Sequence, residues 1–122
     1  MQIPATPWLP LALLALTGLL GGCGDDAPPS TPGNAAALAP ADPALAKIYD
    51  SSCKLCHANP ASGAPQTGDA KAWQPRVAQG ADSLLDHSIN GFKGMPPMGM
   101  CMQCSEEEFL ALISFMSGQS VQ

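Results

Sequence analysis

The chain has 122 residues, enough for one small domain, with 13 prolines and 12 glycines gathered outside the segments of helical periodicity. Five Lys/Arg against ten Asp/Glu leave a net charge of −5. That argues against nucleic acid, whose phosphates would repel this surface, and suits a partner that carries basic groups.

The first element is the apolar run WLPLALLALTGLLGG, Trp8 to Gly22. It has the length of a signal peptide and falls short of the ~20 residues of a spanning helix. It ends in Leu20-Gly21-Gly22-Cys23, which resembles the lipobox of bacterial lipoproteins. That resemblance implies a signal peptide over residues 1–22 and a lipid on Cys23, which becomes the new N-terminus. Residues 1 to 10 contain no Lys or Arg, a departure from the usual positively charged start. A linker over 23–41 follows, rich in Pro and Ala and without an apolar period. Its stretch from Gly24 to Ala41 would reach roughly 55 Å at the polyproline rise, long enough to tether a domain to a membrane and leave it free to turn.

The domain occupies 42–122 and reads as all-α, with three or four helices and long loops. Asp42-Pro43 is an N-cap with proline at the first helical position, and Leu45, Ile48, Tyr49 and Ser52 follow at helical spacing. Asp69 caps a second helix through Trp73, which Pro75 is expected to kink or end. Asp82 caps a third, with Leu84, Leu85 and Ile89 on one side and Gly91 as its stop. Ser105-Glu106-Glu107-Glu108 is a capping box, followed by the stripe Phe109, Leu112, Ile113, Met116 and a stop at Gly118.

The chemistry starts at CKLCH, residues 53–57. On the end of the first helix, Cys53, Cys56 and His57 stand at i, i+3 and i+4 and share a face continuous with Tyr49. Two thiols can then meet two neighbouring vinyl groups of a flat macrocycle while the histidine reaches its iron, the C-x-x-C-H signature of covalent haem c. A zinc knuckle would need a second ligand pair, for which only Cys101-x-x-Cys104 offers itself, with the histidine left over. A thioredoxin-type dithiol would need a βαβ context that is missing, and a plain disulfide is the remaining alternative. Haem also answers the size problem, since it supplies a large apolar body for few helices to wrap.

His57 leaves one axial position. The stretch NGFKGMPPMGMCMQC offers Met95, Met98, Met100 and Met102 in a Gly/Pro-rich loop rather than on a helical stripe. Met95 precedes Pro96-Pro97, which stiffens its backbone, while Met116 on the last helix reads as core. His87 reads as a solvated histidine. Trp73 and Arg76 read either as core and surface groups or as a hydrogen-bond donor and counter-charge for haem propionates.

With CKLCH, the APQTGD turn, AW-x-PR, the ING turn, MPP and a C-x-x-C before the last helix, roughly residues 43 to 120 resemble the small bacterial class I cytochromes c of the c-five group. The resemblance implies the class I cytochrome c fold, three to four helices wrapped around one covalently attached haem. It implies thioether bonds at Cys53 and Cys56, axial ligands His57 and Met95, a Cys101–Cys104 disulfide, and a Pro65 carbonyl that orients the histidine. Methionines at 98, 100 and 102 depart from the family pattern.

The function expected is a one-electron carrier, not an enzyme, because His/Met ligation saturates the iron and raises its potential. It would be held on the periplasmic side of a membrane by its N-terminal lipid, with redox proteins bearing basic patches as partners and no small-molecule substrate. The alternatives are a haem-based sensor or small haem enzyme with a labile sixth ligand, and a fixed haem subunit of a larger complex.

Overall fold

The computed structural model describes residues 34–122. The apolar run, Cys23 and the linker as far as residue 33 lie outside the described residues. The order of elements is a 3₁₀ turn (Ala35–Ala37), α1 (Pro43–Ser51), α2 (Lys54–His57), a 3₁₀ turn (Pro60–Ser62), α3 (Ala70–Val77), α4 (Ala81–Asn90), a 3₁₀ turn (Pro97–Met100) and α5 (Glu106–Ser117). Among the described residues there is no strand, only an isolated bridge between Phe92 and Met95. The end of the expected linker is part of the folded unit, since Ala35 and Pro40 are buried.

Asp42 starts α1 as expected, its Oδ1 accepting from the Leu45 N–H at 2.8 Å. The helix does not run on into CKLCH. Ser52 leaves helical geometry (φ −135°, ψ −82°), and its Oγ donates to the Ile48 carbonyl at 2.6 Å. The Ser51 hydroxyl, one residue earlier, also turns back on the carbonyls of Lys47 and Ile48. Two adjacent hydroxyls competing for the last carbonyls end the helix. The haem-binding motif therefore sits on its own turn, α2, closed by the His57 N–H donating to the Cys53 carbonyl at 2.9 Å.

Asp69 caps α3 through the Ala72 N–H at 3.0 Å. Pro75 does not end this helix, which continues to Val77. Proline removes one backbone donor, and the turn is still closed by the Ala78 N–H to the Gln74 carbonyl at 3.0 Å and by the Arg76 guanidinium donating to the Ala72 carbonyl. The cap of α4 is Gly80, at φ 89°, not Asp82, which lies in the first turn. There its charge complements the positive end of the helix without making the capping bond. Gly91 stops α4 at φ 83°. The capping box of α5 is complete, with Ser105 Oγ accepting from the Glu108 N–H and Glu108 Oε2 from the Ser105 N–H.

α5 supplies the centre. Leu112, Ile113 and Met116 pack with Tyr49 of α1, Trp73 of α3, Leu84 of α4 and Val121. A second, smaller cluster gathers Cys101, Cys104 and Phe109 with Met98, Leu85 and Ile89. These two clusters carry the two sides of the site.

Candidate haem site

His57 is buried. Its Nδ1 lies 2.8 Å from the Pro65 carbonyl. A carbonyl only accepts, so Nδ1 carries the proton and Nε2 keeps a lone pair for a metal. Burial pushes the His57 pKa down; the Pro65 hydrogen bond opposes this and the nearby Arg76 charge adds to it. The ring is thus held neutral, the form that ligates iron. The Trp73 ring stacks on it with centroids 5.5 Å apart.

The segment 65–68 fastens this side to four helices. Pro65 accepts from His57. The Gln66 carbonyl accepts from Trp73 Nε1 at 2.9 Å. Thr67 donates its N–H to the His57 carbonyl at 2.7 Å and shares a buried 2.8 Å hydrogen bond with the Tyr49 hydroxyl. Gly68 donates its N–H to the Met116 carbonyl at 2.7 Å. The indole N–H of Trp73 is therefore committed to Gln66, which removes Trp73 as a propionate donor and leaves it as core. Arg76 lines the cavity with further guanidinium donors.

Cys53 and Cys56 line the same cavity as His57 and are bonded to no other cysteine among the described residues. Burial raises the pKa of the Cys53 thiol, with the Ser52 hydroxyl opposing. The leading cysteine of a redox dithiol is activated in the other direction, so the dithiol reading loses its support. The zinc reading fails as well. Cys101 and Cys104 are joined to each other, with Cα atoms 5.4 Å apart, and the described residues hold no group of three or more His, Cys, Asp or Glu able to bind a metal ion.

The loop facing this side separates the candidate methionines. Met95 and Met100 line the cavity, together with Met116 from α5. Met98 instead packs against Cys101, Cys104 and Phe109, and Met102 is 75% exposed. Met95 is the better held of the two loop residues. Its N–H and carbonyl exchange hydrogen bonds with Phe92, at 2.9 and 3.1 Å, while Met100 is 61% exposed. Gly91 allows the approach. A Cβ there would stand 3.0 Å from both the Met95 carbonyl oxygen and the Pro97 nitrogen. His87 is not simply solvated. It is half-buried, lines the cavity, and stacks on Phe92 with centroids 3.8 Å apart. Nothing in the sequence pointed to that contact, because it depends on the turn that folds Phe92 back over α4.

The cavity so formed is about 230 Å³, lined by apolar side chains that include Leu84, Phe109, Leu112 and Ile113. If only water filled it, the forfeited packing would be on the order of 5 kcal/mol at about 24 cal/mol per Å³ of a cavity of this volume. That is comparable to the whole stability of a small domain. An apolar slot with a neutral imidazole, two unpaired cysteines and a thioether around it fits a covalently attached haem in both shape and donor chemistry.

The family described as cytochrome c oxidase, cbb3-type, subunit III matches residues 40–116. Cytochrome c5 of Azotobacter vinelandii is 43% identical over 68 residues, which cover 54% of this chain and 82% of that protein. The chain belongs to this family, as a small class I cytochrome c of the c5 group. Cytochrome c-555 of Chlorobaculum tepidum is 41% identical over 76 residues, 59% of this chain and 70% of that one. A mono-haem ferrocytochrome c from Shewanella putrefaciens superposes with a TM-score of 0.56 at 37% identity, covering 64% of this chain and 94% of that chain. A chain from a crystal structure of an electron transfer complex of nitrite reductase with cytochrome c does so with a TM-score of 0.55 at 42% identity, covering 63% and 94%. This cytochrome thus has the class I fold, carries one covalently bound haem c, and acts as an electron carrier rather than an enzyme.

Trp73 tests the frame behind the histidine. Trp73→Phe keeps a ring against His57 but leaves the Gln66 carbonyl without its donor. The expected result is a loss of about 1–3 kcal/mol in denaturant unfolding, with the visible spectrum unchanged. Equal stability of variant and wild type would show that this hydrogen bond contributes nothing.

Proposed function

We propose that Cys53 and Cys56 form the two thioether bonds, that His57 Nε2 and Met95 Sδ are the axial ligands, and that the cytochrome works as a periplasmic carrier tethered through a lipid on Cys23. The observation that carries the reading is the placement of Cys53, Cys56, His57 and Met95 around one apolar cavity.

Bound haem supplies a one-electron ferric/ferrous couple. The protein's part is to keep the iron's surroundings the same in both states. Pro65 fixes the histidine proton on Nδ1, the Phe92–Met95 hydrogen bonds hold the thioether, and Leu112, Ile113 and Phe109 exclude water. With His57 and Met95 both holding the haem, no position would remain for a substrate, and the group would supply electron transfer alone. The Cys101–Cys104 pair, buried beside Met98 and Phe109, clamps the ligand loop to the start of α5.

Residues 1–22 act as a lipoprotein-type signal peptide and the chain from 23 into the thirties as a tether. No described helix is long and apolar enough to cross a membrane; the anchor in this reading is the lipid on Cys23. The partners are redox proteins, respiratory complexes or a terminal reductase or oxidase, that present basic patches to a chain of net charge −5.

Three measurements test this. The reduced spectrum of the holoprotein should be unchanged by carbon monoxide, whereas Met95→Ala should bind it and show a lower potential. If Met100→Ala opens the iron and Met95→Ala does not, the axial ligand is Met100. Cys23→Ser should move the haem protein from the membrane fraction to the soluble one; a wild type that is already soluble would end the tether reading. Electron-transfer rates with a basic redox partner should fall as salt rises. Rates that stay flat or increase would mean that the net charge does not steer the encounter.

A further inference from the structure

Gly99 stands next to the methyl group of Met95. A Cβ built on Gly99 would lie 3.0 Å from Met95 Cε, inside the ~3.5–4.0 Å at which two carbons attract. The neighbouring residues show that the backbone alone does not demand glycine here. Gly99 has φ +53°, but Met98 and Met100 on either side are left-handed too, at φ +59° and +64°, and both carry side chains. What distinguishes position 99 is the methyl beside it. Its N–H donates to the Pro96 carbonyl at 3.0 Å, so the gap is fastened to the residue that follows Met95.

We propose that Gly99 is a positioning residue for the axial thioether: the missing side chain is the seat of the Met95 methyl, and it decides which way that methyl points and therefore where the sulfur lone pairs are presented. The proposal rests on Met95 being the axial ligand. Its role differs from that of Gly91, where an added Cβ would meet backbone and proline ring atoms. There the glycine admits the loop's main chain; here it orients one side chain. A free methionine could swing its flexible end away from an added Cβ. One whose sulfur is bound cannot do so without moving the bond, so the conflict exists only in the ligated state.

The test uses the reduced holoprotein and the ring-current-shifted proton resonance of the ligating methionine's ε-methyl group, together with imidazole binding to the oxidised form. Gly99→Ala should shift or broaden that resonance and raise imidazole affinity about ten- to hundredfold, the range expected from overpacking of this kind. Gly80→Ala, at φ +89° with nothing within 4 Å of the added Cβ, imposes left-handed strain without the contact and should leave both readouts at wild type. An unchanged resonance and affinity in Gly99→Ala overturns the proposal. So does an equal change in Gly80→Ala. If Gly99→Ala does not accumulate as holoprotein, its recovery in a Met95→Ala background supports the seat, because the methyl has been removed; continued failure there overturns it. If Met95→Ala alone keeps the shifted methyl resonance, Met95 is not the ligand and the proposal falls with that assignment.

Discussion

The 2.8 Å hydrogen bond from His57 Nδ1 to the Pro65 carbonyl is the contact on which the arrangement of this domain turns. It sets the tautomer of the one histidine placed to ligate from α2, and it starts a run of four residues that each hold a different element. Gln66 holds Trp73, Thr67 holds Tyr49, and Gly68 holds Met116. A segment with no regular structure thus connects α1, α2, α3 and α5. The bonds are buried or nearly so, and each would leave an unsatisfied group if its partner were lost. The bonds are therefore coupled: displacing one residue of 65–68 disturbs all four connections.

The methionine side is built on another principle. All the non-glycine residues of the described chain with positive φ, Lys93, Met98 and Met100, lie in this one loop. Such conformations cost on the order of 1–3 kcal/mol each and persist where the surroundings over-determine them. The surroundings here are the paired hydrogen bonds of Phe92 and Met95, two consecutive prolines, the Cys101–Cys104 bond and the packing of Met98 on Phe109. Two dissimilar walls result. The histidine wall is held by a satisfied hydrogen-bond network. The methionine wall is a strained loop held shut by covalent and steric constraints, which would make the thioether the more easily adjusted of the two proposed ligands.

Much of this was legible from local signals. Asp42, Asp69 and Ser105 cap where their side chains predict, and the stripe Phe109, Leu112, Ile113, Met116 is buried as its spacing requires. What was not legible depends on competition or on distant partners. Ser52 fits the helical period of α1, yet its hydroxyl ends the helix. Asp82 is a good cap by type, but Gly80 can adopt the φ of 89° that the chain needs to enter α4. The role of Trp73 depended on Gln66, seven residues earlier, which no periodicity connects to it. The spacing of four methionines of equal chemistry could not sort them, because the left-handed turns at Met98 and Gly99 give the loop no period that fixes which side chains face the cavity.

The charges show why net charge and local field are separate questions here. From residue 42 onward the acids first serve the fold. Asp42 and Asp69 cap, Glu108 closes the capping box, Asp82, Glu106 and Glu107 lie in first turns, Asp50 pairs with Lys54, and Asp86 accepts from Asn90. Among the described residues that line the cavity, the only side chains of fixed charge are Arg76 and Lys93, both cationic. Beside these two cations the cavity mouth presents the apolar Phe92 and Met100, which are 43% and 61% exposed. The sum of the charges is negative, and its pull on a basic partner would be screened by salt over a Debye length of about 8 Å. Attraction and fit would therefore be set by different residues. On the proposed reading, the acids that stabilise helix ends would also draw in basic partners, and the loop around Met95 would form part of what they touch.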